Sequence, residues 1–269
     1  MLSRRVLVDG EVSVAEIRCD AGPSDASVVE EHGAWSVSYV QRGSFGCRCG
    51  GVDREMVPGS VLIGRPGEGF ECSHRHHAHG DTCLAVLLAP GVVDEVTEGR
   101  GWHATTLPPL AELMVRGAVM QGAVTGATGI GLDGAALALV SRFVETCGRV
   151  ERRAALRRSA PSRRRIVQSA LWIEAHLEQP LNLARMAAEA AMTPYHYLRQ
   201  FNAVVGVTPH QYLLRCRLRH AARLLASQPE RPVTEIALAS GFEDLSNFVR
   251  TFRRASGASP GRFRAPRGP

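Results

Sequence analysis

At 269 residues the chain is long enough for two domains, each with its own core. Its 45% hydrophobic and 22% charged content is that of a soluble globular protein. The longest apolar stretch, Cys83 to Val93, is broken by Pro90-Gly91 and falls short of the ~18 residues of a membrane span.

The start, MLSRRVLVDGEV, has positive charge but no apolar signal core, so a cytoplasmic protein is expected. Seven cysteines at irregular spacing do not form a disulfide framework, and reduced thiols fit that compartment. The formal charge of +6 conceals an asymmetry. Residues 1–148 hold 11 Arg against 18 acids, 149–165 hold eight Arg against one, and 166–269 hold 13 Arg against seven. A basic second half on an acidic first half suggests a polyanion partner for one half only.

The first ~95 residues read as short strands of period two. Trp35, Val37 and Tyr39 alternate with small or polar residues. So do Phe45, Cys47 and Cys49, then Phe70, Cys72 and His74, then Cys83, Ala85 and Leu87. Turn signals at Arg42-Gly43, Gly50-Gly51, Pro58-Gly59, Pro66-Gly67 and Gly80-Asp81 separate them. That pattern predicts a small antiparallel barrel or jelly roll.

Within it lies ECSHRHHAHGDTC, residues 71–83. Strand alternation puts Cys72, His74 and His76 on one face, with Cys83 on the returning strand. Thiolate and imidazole ligands suit zinc or copper(I), so Cys72, His74, His76 and Cys83 are a candidate metal set. A polar hairpin with buried thiols and solvated His77 and His79 is the plainer reading of the same residues. Redox sensing by Cys72 or Cys83 is a further one.

From about residue 107 the period becomes helical. Leu110, Leu113 and Met114 form one face, and Leu137, Val140, Phe143, Val144 and Cys147 form another, across a Gly-rich break at 126–134. Residues 149–163 make an Arg-rich connector. The expected organisation is a strand-rich domain with following helices at 1–148, a linker at 149–163 and a helical domain at 164–269.

Helices are predicted at 164–178, 183–190, 194–204, 209–226, 233–240, 245–255 and 260–265. Thr193-Pro194, Thr208-Pro209 and Ser259-Pro260 each place a hydroxyl at the N-cap and Pro at the first helical position. Thr208 with Gln211 is a capping box, and Asp244 can cap another helix.

This half repeats itself. GVTPHQY at 206–212 returns as GASPGRF at 257–263. Met186-Ala187 matches Ile236-Ala237, Ala191 matches Gly241, and Tyr197, Arg199 and Phe201 match Phe248, Arg250 and Phe252. Each unit is a short helix, a tight turn and a second helix, the helix-turn-helix pattern in duplicate. Aromatic pairs four apart bury one face of each second helix and leave Arg199 and Arg250 outside, where guanidinium can read guanine in the major groove. The joining helix should pack Leu214, Leu218, Ala221, Ala222 and Leu225 inward and turn Arg215, Arg219 and Arg223 outward. Its length of roughly 27 Å is close to one DNA turn.

Residues 164–266 resemble the AraC/XylS family of bacterial transcription regulators. The resemblance is carried by Ile236-Ala-Leu-Ala-Ser-Gly-Phe242, Asn247-Phe-Val-Arg-Thr-Phe-Arg-Arg254 and Gly257-Ala-Ser-Pro260. It implies contacts to double-stranded DNA from Tyr195, Leu198, Arg199, Leu245, Ser246, Asn247 and Arg250. Arg217, Arg253 and Arg254 suit phosphate contacts or plain surface. Family members usually carry Gly in the first unit's turn, where this chain has Ala191. A left-handed backbone there costs about 1–2 kcal/mol for Ala.

In the first half, Tyr39-Val-Gln-Arg-Gly43 and Pro58-Gly-Ser-Val61 leading to Pro66-Gly67 resemble the family's cupin-like barrel. The implied fold class is multidomain α+β: an antiparallel cupin-like β-barrel with following helices, then an all-α tandem helix-turn-helix domain. The implied function is a regulator that senses an effector, pairs as a homodimer through its first half and acts on RNA polymerase. The alternative is a cupin-type metal-binding enzyme domain fused to a DNA tether.

Overall fold

The computed structural model describes residues 2–77, 79–99, 101–150 and 160–264. Nine strands come first: β1 (Leu2–Val8), β2 (Val12–Cys19), β3 (Val28–Glu31), β4 (Trp35–Arg42), β5 (Phe45–Cys49), β6 (Val52–Met56), β7 (Val61–Gly64), β8 (Gly69–Ser73) and β9 (Asp81–Leu88). After helix α1 (Pro90–Thr97), the two-residue β10 (Thr106–Leu107) completes the set.

The strands pair as two antiparallel sheets, one ordered β1-β2-β9-β4-β7-β10 and one ordered β3-β8-β5-β6. Of the expected barrel or jelly roll, the described residues show the antiparallel strands arranged as two sheets. Side-chain alternation explains how the sheets stack. Tyr39, Val61, Ile63, Leu84 and Val86 point one way, into the main core. Val40, Leu62 and Cys83 point the other way and meet Phe45, Cys47, Cys49 and Met56 of the smaller sheet. With both faces covered, β4 and β9 are buried along most of their length, Ser36 and Ser38 included.

Helices α2 (Ala111–Val124) and α3 (Leu132–Val150) cover the outer face of the larger sheet. A Cβ on Gly117 would lie 2.4 Å from the Tyr39 ring, so only glycine lets α2 sit this close to β4. The buried stripe of α3 is Ala136, Leu139, Val140, Phe143 and Cys147, whereas Leu137 faces outward.

The second half is α4 (Ala160–Ala175), α5 (Leu183–Glu189), α6 (Pro194–Val205), α7 (Pro209–Ser227), α8 (Val233–Ala239), α9 (Leu245–Ser256) and α10 (Pro260–Arg264). Every helix expected from the sequence is present. The expected 149–163 connector lies mostly on residues 151–159, outside the described residues.

One cluster of buried side chains runs from Val14 in β2 to Cys216 in α7. The two halves thus share apolar contacts. Val115 and Ala118 of α2 meet Leu218, Ala221 and Ala222 of α7, and the Tyr212 hydroxyl donates to the Pro58 carbonyl at 3.3 Å.

That contact corrects the expected faces of α7. Its apolar stripe does pack inward, but Arg219 is only 4% exposed and pairs with Glu174 of α4. Arg215 donates to the Pro109 carbonyl, and Arg223 is half-buried beside His220. A helix covered on several sides has no free arginine face, and sequence period alone does not show the second cover.

Candidate nucleic-acid interface and inter-sheet cavity

Each helix-turn-helix unit is built the same way. In the first, α5 is capped by Asn182, whose side chain accepts from the Arg185 amide at 2.9 Å. The chain then turns so that the Met192 amide reaches the Ala187 carbonyl at 2.9 Å. In the second, the Phe242 amide reaches the Ala237 carbonyl at 3.0 Å. The residue at the bend is left-handed in both: Ala191 at φ 51° and Gly241 at φ 79°. The first turn therefore keeps the geometry of the second and holds the strain of a Cβ in that region.

The caps of the second helices differ from expectation in one place. Asp244 accepts from the Ser246 amide at 2.8 Å. Thr193 has the extended backbone of an N-cap but makes no side-chain capping bond. Thr208 and Gln211 form the full capping box at the start of α7, and Ser259 accepts from the Arg262 amide at 3.4 Å.

The aromatic pairs do what their spacing predicts. Tyr197, Phe201, Phe248 and Phe252 are fully buried, and the Tyr197 hydroxyl is hydrogen-bonded to Ser169 of α4 at 2.7 Å. The opposite faces are open. On α6, Tyr195 is 70% exposed, Arg199 is exposed with its guanidinium 5.7 Å over the Tyr195 ring, and Leu198 is half-buried. On α9, Leu245, Ser246, Asn247 and Arg250 are all exposed. Arg250 donates to Asn247 Oδ1 at 3.2 Å and Thr251 donates to the same oxygen at 3.3 Å, so these polar groups are held in register.

All seven expected contact residues sit on the two second helices, six of them exposed and Leu198 half-buried. One further residue belongs with them. His196 is exposed at the position in α6 that Asn247 holds in α9. The 51-residue offset of the repeat marks it, although its chemistry differs from that of asparagine.

Arg253 and Arg254 are exposed in the last turn of α9. Arg217 is not available for DNA: it donates to the Leu177 and Gln179 carbonyls at 2.8 Å each.

In the first half, a half-open cavity of about 740 Å³ lies between the two sheets. Its lining includes His32, Phe70, Cys72, His74, Asp81 and Cys83. The Cys72, His74, His76, Cys83 set does not converge as strand alternation suggested. β8 ends at Ser73, and residues 75–76 form a turn, so the period of two is lost before His76. His76 sits within the field of Glu55, His77 and Arg163, and burial lowers its pKa. Cys72 lies opposite Cys47 across the β5–β8 pair, and Cys47 Sγ is 2.9 Å from Cys49 Sγ.

His74 Nε2 instead meets Asp81 Oδ1 at 3.0 Å, while the Cys83 thiol donates to Asp81 Oδ2 at 3.4 Å. Burial pushes the Cys83 thiol well up, and Asp81 adds to the effect. His77, expected in solvent, is buried between Ser44 at 2.8 Å and Glu55 at 2.9 Å; His79 is exposed.

Two helix-turn-helix units joined by one long helix, each with a polar face over a buried aromatic pair, define the chain as a tandem helix-turn-helix protein. A family model described as a helix-turn-helix domain matches residues 186–266. The chain is 36% identical over 92 residues to the probable transcriptional regulator LumQ of Photobacterium leiognathi, covering 34% of this chain and 37% of LumQ. It is 33% identical over 104 residues to the regulatory protein SoxS of Salmonella typhimurium, covering 38% of this chain and 96% of SoxS. A crystal structure of the DNA-binding domain of AdpA in complex with a target DNA is 30% identical and covers 37% of this chain and 88% of that one, with a TM-score of 0.35.

The chain belongs to the AraC/XylS family, whose members are transcriptional regulators and not enzymes. It spans little more than a third of LumQ's length. No helix among the described residues is long and apolar enough to cross a membrane.

Proposed function

We propose that this chain is a sequence-specific, DNA-binding transcriptional regulator, acting in the cytoplasm, whose first half senses an effector. The observation that carries the reading is the paired set of exposed residues on α6 and α9, each backed by two buried aromatic rings. Tyr195, Leu198, Arg199, Leu245, Ser246, Asn247 and Arg250 read base edges, and the basic second half supplies phosphate contacts. α7, at 19 residues, is roughly 28 Å long and separates the two readers by a distance suited to successive major grooves. The site is then a tandem, non-palindromic element of about two turns.

The cupin-like sheet half, residues 1–148, is the regulatory domain in this reading, and its inter-sheet cavity receives the effector. Homodimerisation through that half and contact with RNA polymerase belong to the same reading. The supporting contact is α2, which packs on α7 and reaches α9 through Arg116, whose guanidinium donates to the Ser256 carbonyl at 3.2 Å. In this reading α2 is the route from the sheets to α9.

The test is selection of bound sequences from a random DNA pool by the full chain, followed by footprinting of the winner. Protection of two major-groove segments about one turn apart supports the reading. Recovery of no enriched sequence overturns it.

A further inference from the structure

Among the described residues, one group of three metal-ligating side chains converges: Cys19, His74 and Asp81, whose donor atoms all lie within 4.8 Å of one another. We propose that Cys19 Sγ, His74 Nε2 and a carboxylate oxygen of Asp81 form a binding site for a single zinc-class divalent cation in the wall of the inter-sheet cavity. The inference is independent of the DNA-binding reading, since it concerns the sheets alone.

The fold builds this site. Cys19 and Asp81 are directly opposed in the β2–β9 pair, so backbone register fixes their separation. Two close approaches hold the corner. A Cβ on Gly80 would stand 1.8 Å from the Cys19 carbonyl oxygen, and one on Gly43 would stand 2.0 Å from the Gly80 carbonyl oxygen. Glycine at both positions brings the end of β2, the start of β9 and the β4–β5 turn together. His74 enters from the end of β8, on the other sheet.

The chemistry selects the ion. Zinc takes sulfur at about 2.3 Å and nitrogen or oxygen at about 2.0 Å, so tetrahedral neighbours stand roughly 3.3 Å apart. The 3.0 Å between His74 Nε2 and Asp81 Oδ1 is close to such an edge. A carboxylate beside a thiolate and an imidazole favours zinc over copper(I), which takes softer ligands. Thiolate and carboxylate together balance the double charge of the cation, which matters where His74 is 6% and Asp81 9% exposed. Half-exposed Cys19 gives the ion a way in. Three protein ligands leave the fourth position facing the cavity, as in zinc sites that bind an exchangeable group.

The Cys83 thiol takes the second Asp81 oxygen and orients the carboxylate from outside the coordination sphere. Three of the four ligands expected from the sequence, Cys72, His76 and Cys83, are thereby replaced by Cys19 and Asp81. The plainer alternative is a hydrogen-bonded His74–Asp81 pair beside an unrelated thiol.

The experiment uses the full chain, stripped with chelator and titrated with cobalt(II), then back-titrated with zinc. The expected result is one equivalent bound, with a thiolate-to-cobalt charge-transfer band and tetrahedral d–d bands that zinc abolishes. Cys19→Ser removes the charge-transfer band, and Cys19→Ser and Asp81→Asn each weaken zinc binding at least about tenfold. Cys72→Ser and His76→Ala keep the band and the stoichiometry. Cys19→Ser alters only a half-exposed strand end, so its unfolding in chelator should match the unsubstituted chain and separates ligand loss from misfolding. Absence of micromolar binding by the unsubstituted chain overturns the proposal. So does a band that survives Cys19→Ser and disappears in Cys72→Ser or Cys83→Ser.

Discussion

Arg163, in the first turn of α4, reaches Glu55 of β6 across the two halves of the molecule, with Nη1 3.4 Å from Oε1. The other oxygen of Glu55 accepts from His77 Nε2 at 2.9 Å, and His77 Nδ1 is hydrogen-bonded to Ser44. One buried carboxylate therefore ties the loop that follows β8 to the helix that supports α6. That loop begins at His74, in the cavity wall, three residues before His77.

Removing this carboxylate leaves buried His77 Nε2 without its partner and leaves Arg163 with Asp53 at 3.9 Å. Glu55→Ala should cost about 1–3 kcal/mol in urea unfolding, the range for a buried group left unsatisfied. Paired with Arg163→Ala in a double-mutant cycle, it should show a coupling of at least about 0.5 kcal/mol. A coupling near zero would mean that the contact between halves carries no energy.

The two turn residues give opposite expectations. Ala191 at φ 51° should gain from replacement by glycine, so Ala191→Gly stabilises the fold by about 1 kcal/mol. Gly241→Ala should destabilise by more than that amount. Its Cβ would add left-handed strain and also come within 2.6 Å of the Leu177 carbonyl oxygen and of Arg217 Nε. Thermal or urea unfolding of the two variants measures both signs. Destabilisation by Ala191→Gly would show that the methyl is held by packing that outweighs the backbone term.

The residues legible in the sequence were those whose partners lie nearby in it. The four-residue spacing of Tyr197 with Phe201 and of Phe248 with Phe252 located both supporting faces, and the repeat exposed Ala191 as the unequal turn. Thr208 and Gln211 announced their capping box within four residues. What escaped depends on distant partners. Cys19 meets His74 only because β2 pairs with β9 while β8 belongs to the other sheet. Arg219 looked like a surface arginine because its helix period was read without Glu174 or the covering sheet. His76 left the ligand set and His77 became buried because β8 ends at Ser73, an end that alternation alone does not mark.

The Arg219–Glu174 pair makes its own test. Burial opposes the charge on Arg219, yet Glu174 and the neighbouring groups hold its pKa well above the usual arginine value. Arg219→Ala would leave Glu174 without this partner, its side chain 24% exposed. The expected loss is roughly 3 kcal/mol, at the low end for breaking a buried pair because Glu174 retains access to water. Arg219→Met, which refills the space, should lose less than Arg219→Ala. Equal losses in the two variants would assign the whole effect to the charge.

On DNA, arginines of the same helix should behave differently. Arg250 lies at the centre of the open face of α9 and is held by Asn247, a geometry for reading a base edge. Arg254 lies in the last turn, where contact with phosphate is the natural role. Arg250→Ala should cost about 1–3 kcal/mol on the selected site and relax preference at one or two base pairs. Arg254→Ala should weaken selected and random DNA by a similar factor. It should also reduce the slope of log K against log salt by about 1. Fluorescence anisotropy over a salt series, on selected and scrambled duplexes, separates the two patterns. If Arg250→Ala lowered affinity for both duplexes equally, its guanidinium would be a phosphate contact, and base reading by α9 would fall to Ser246 and Asn247.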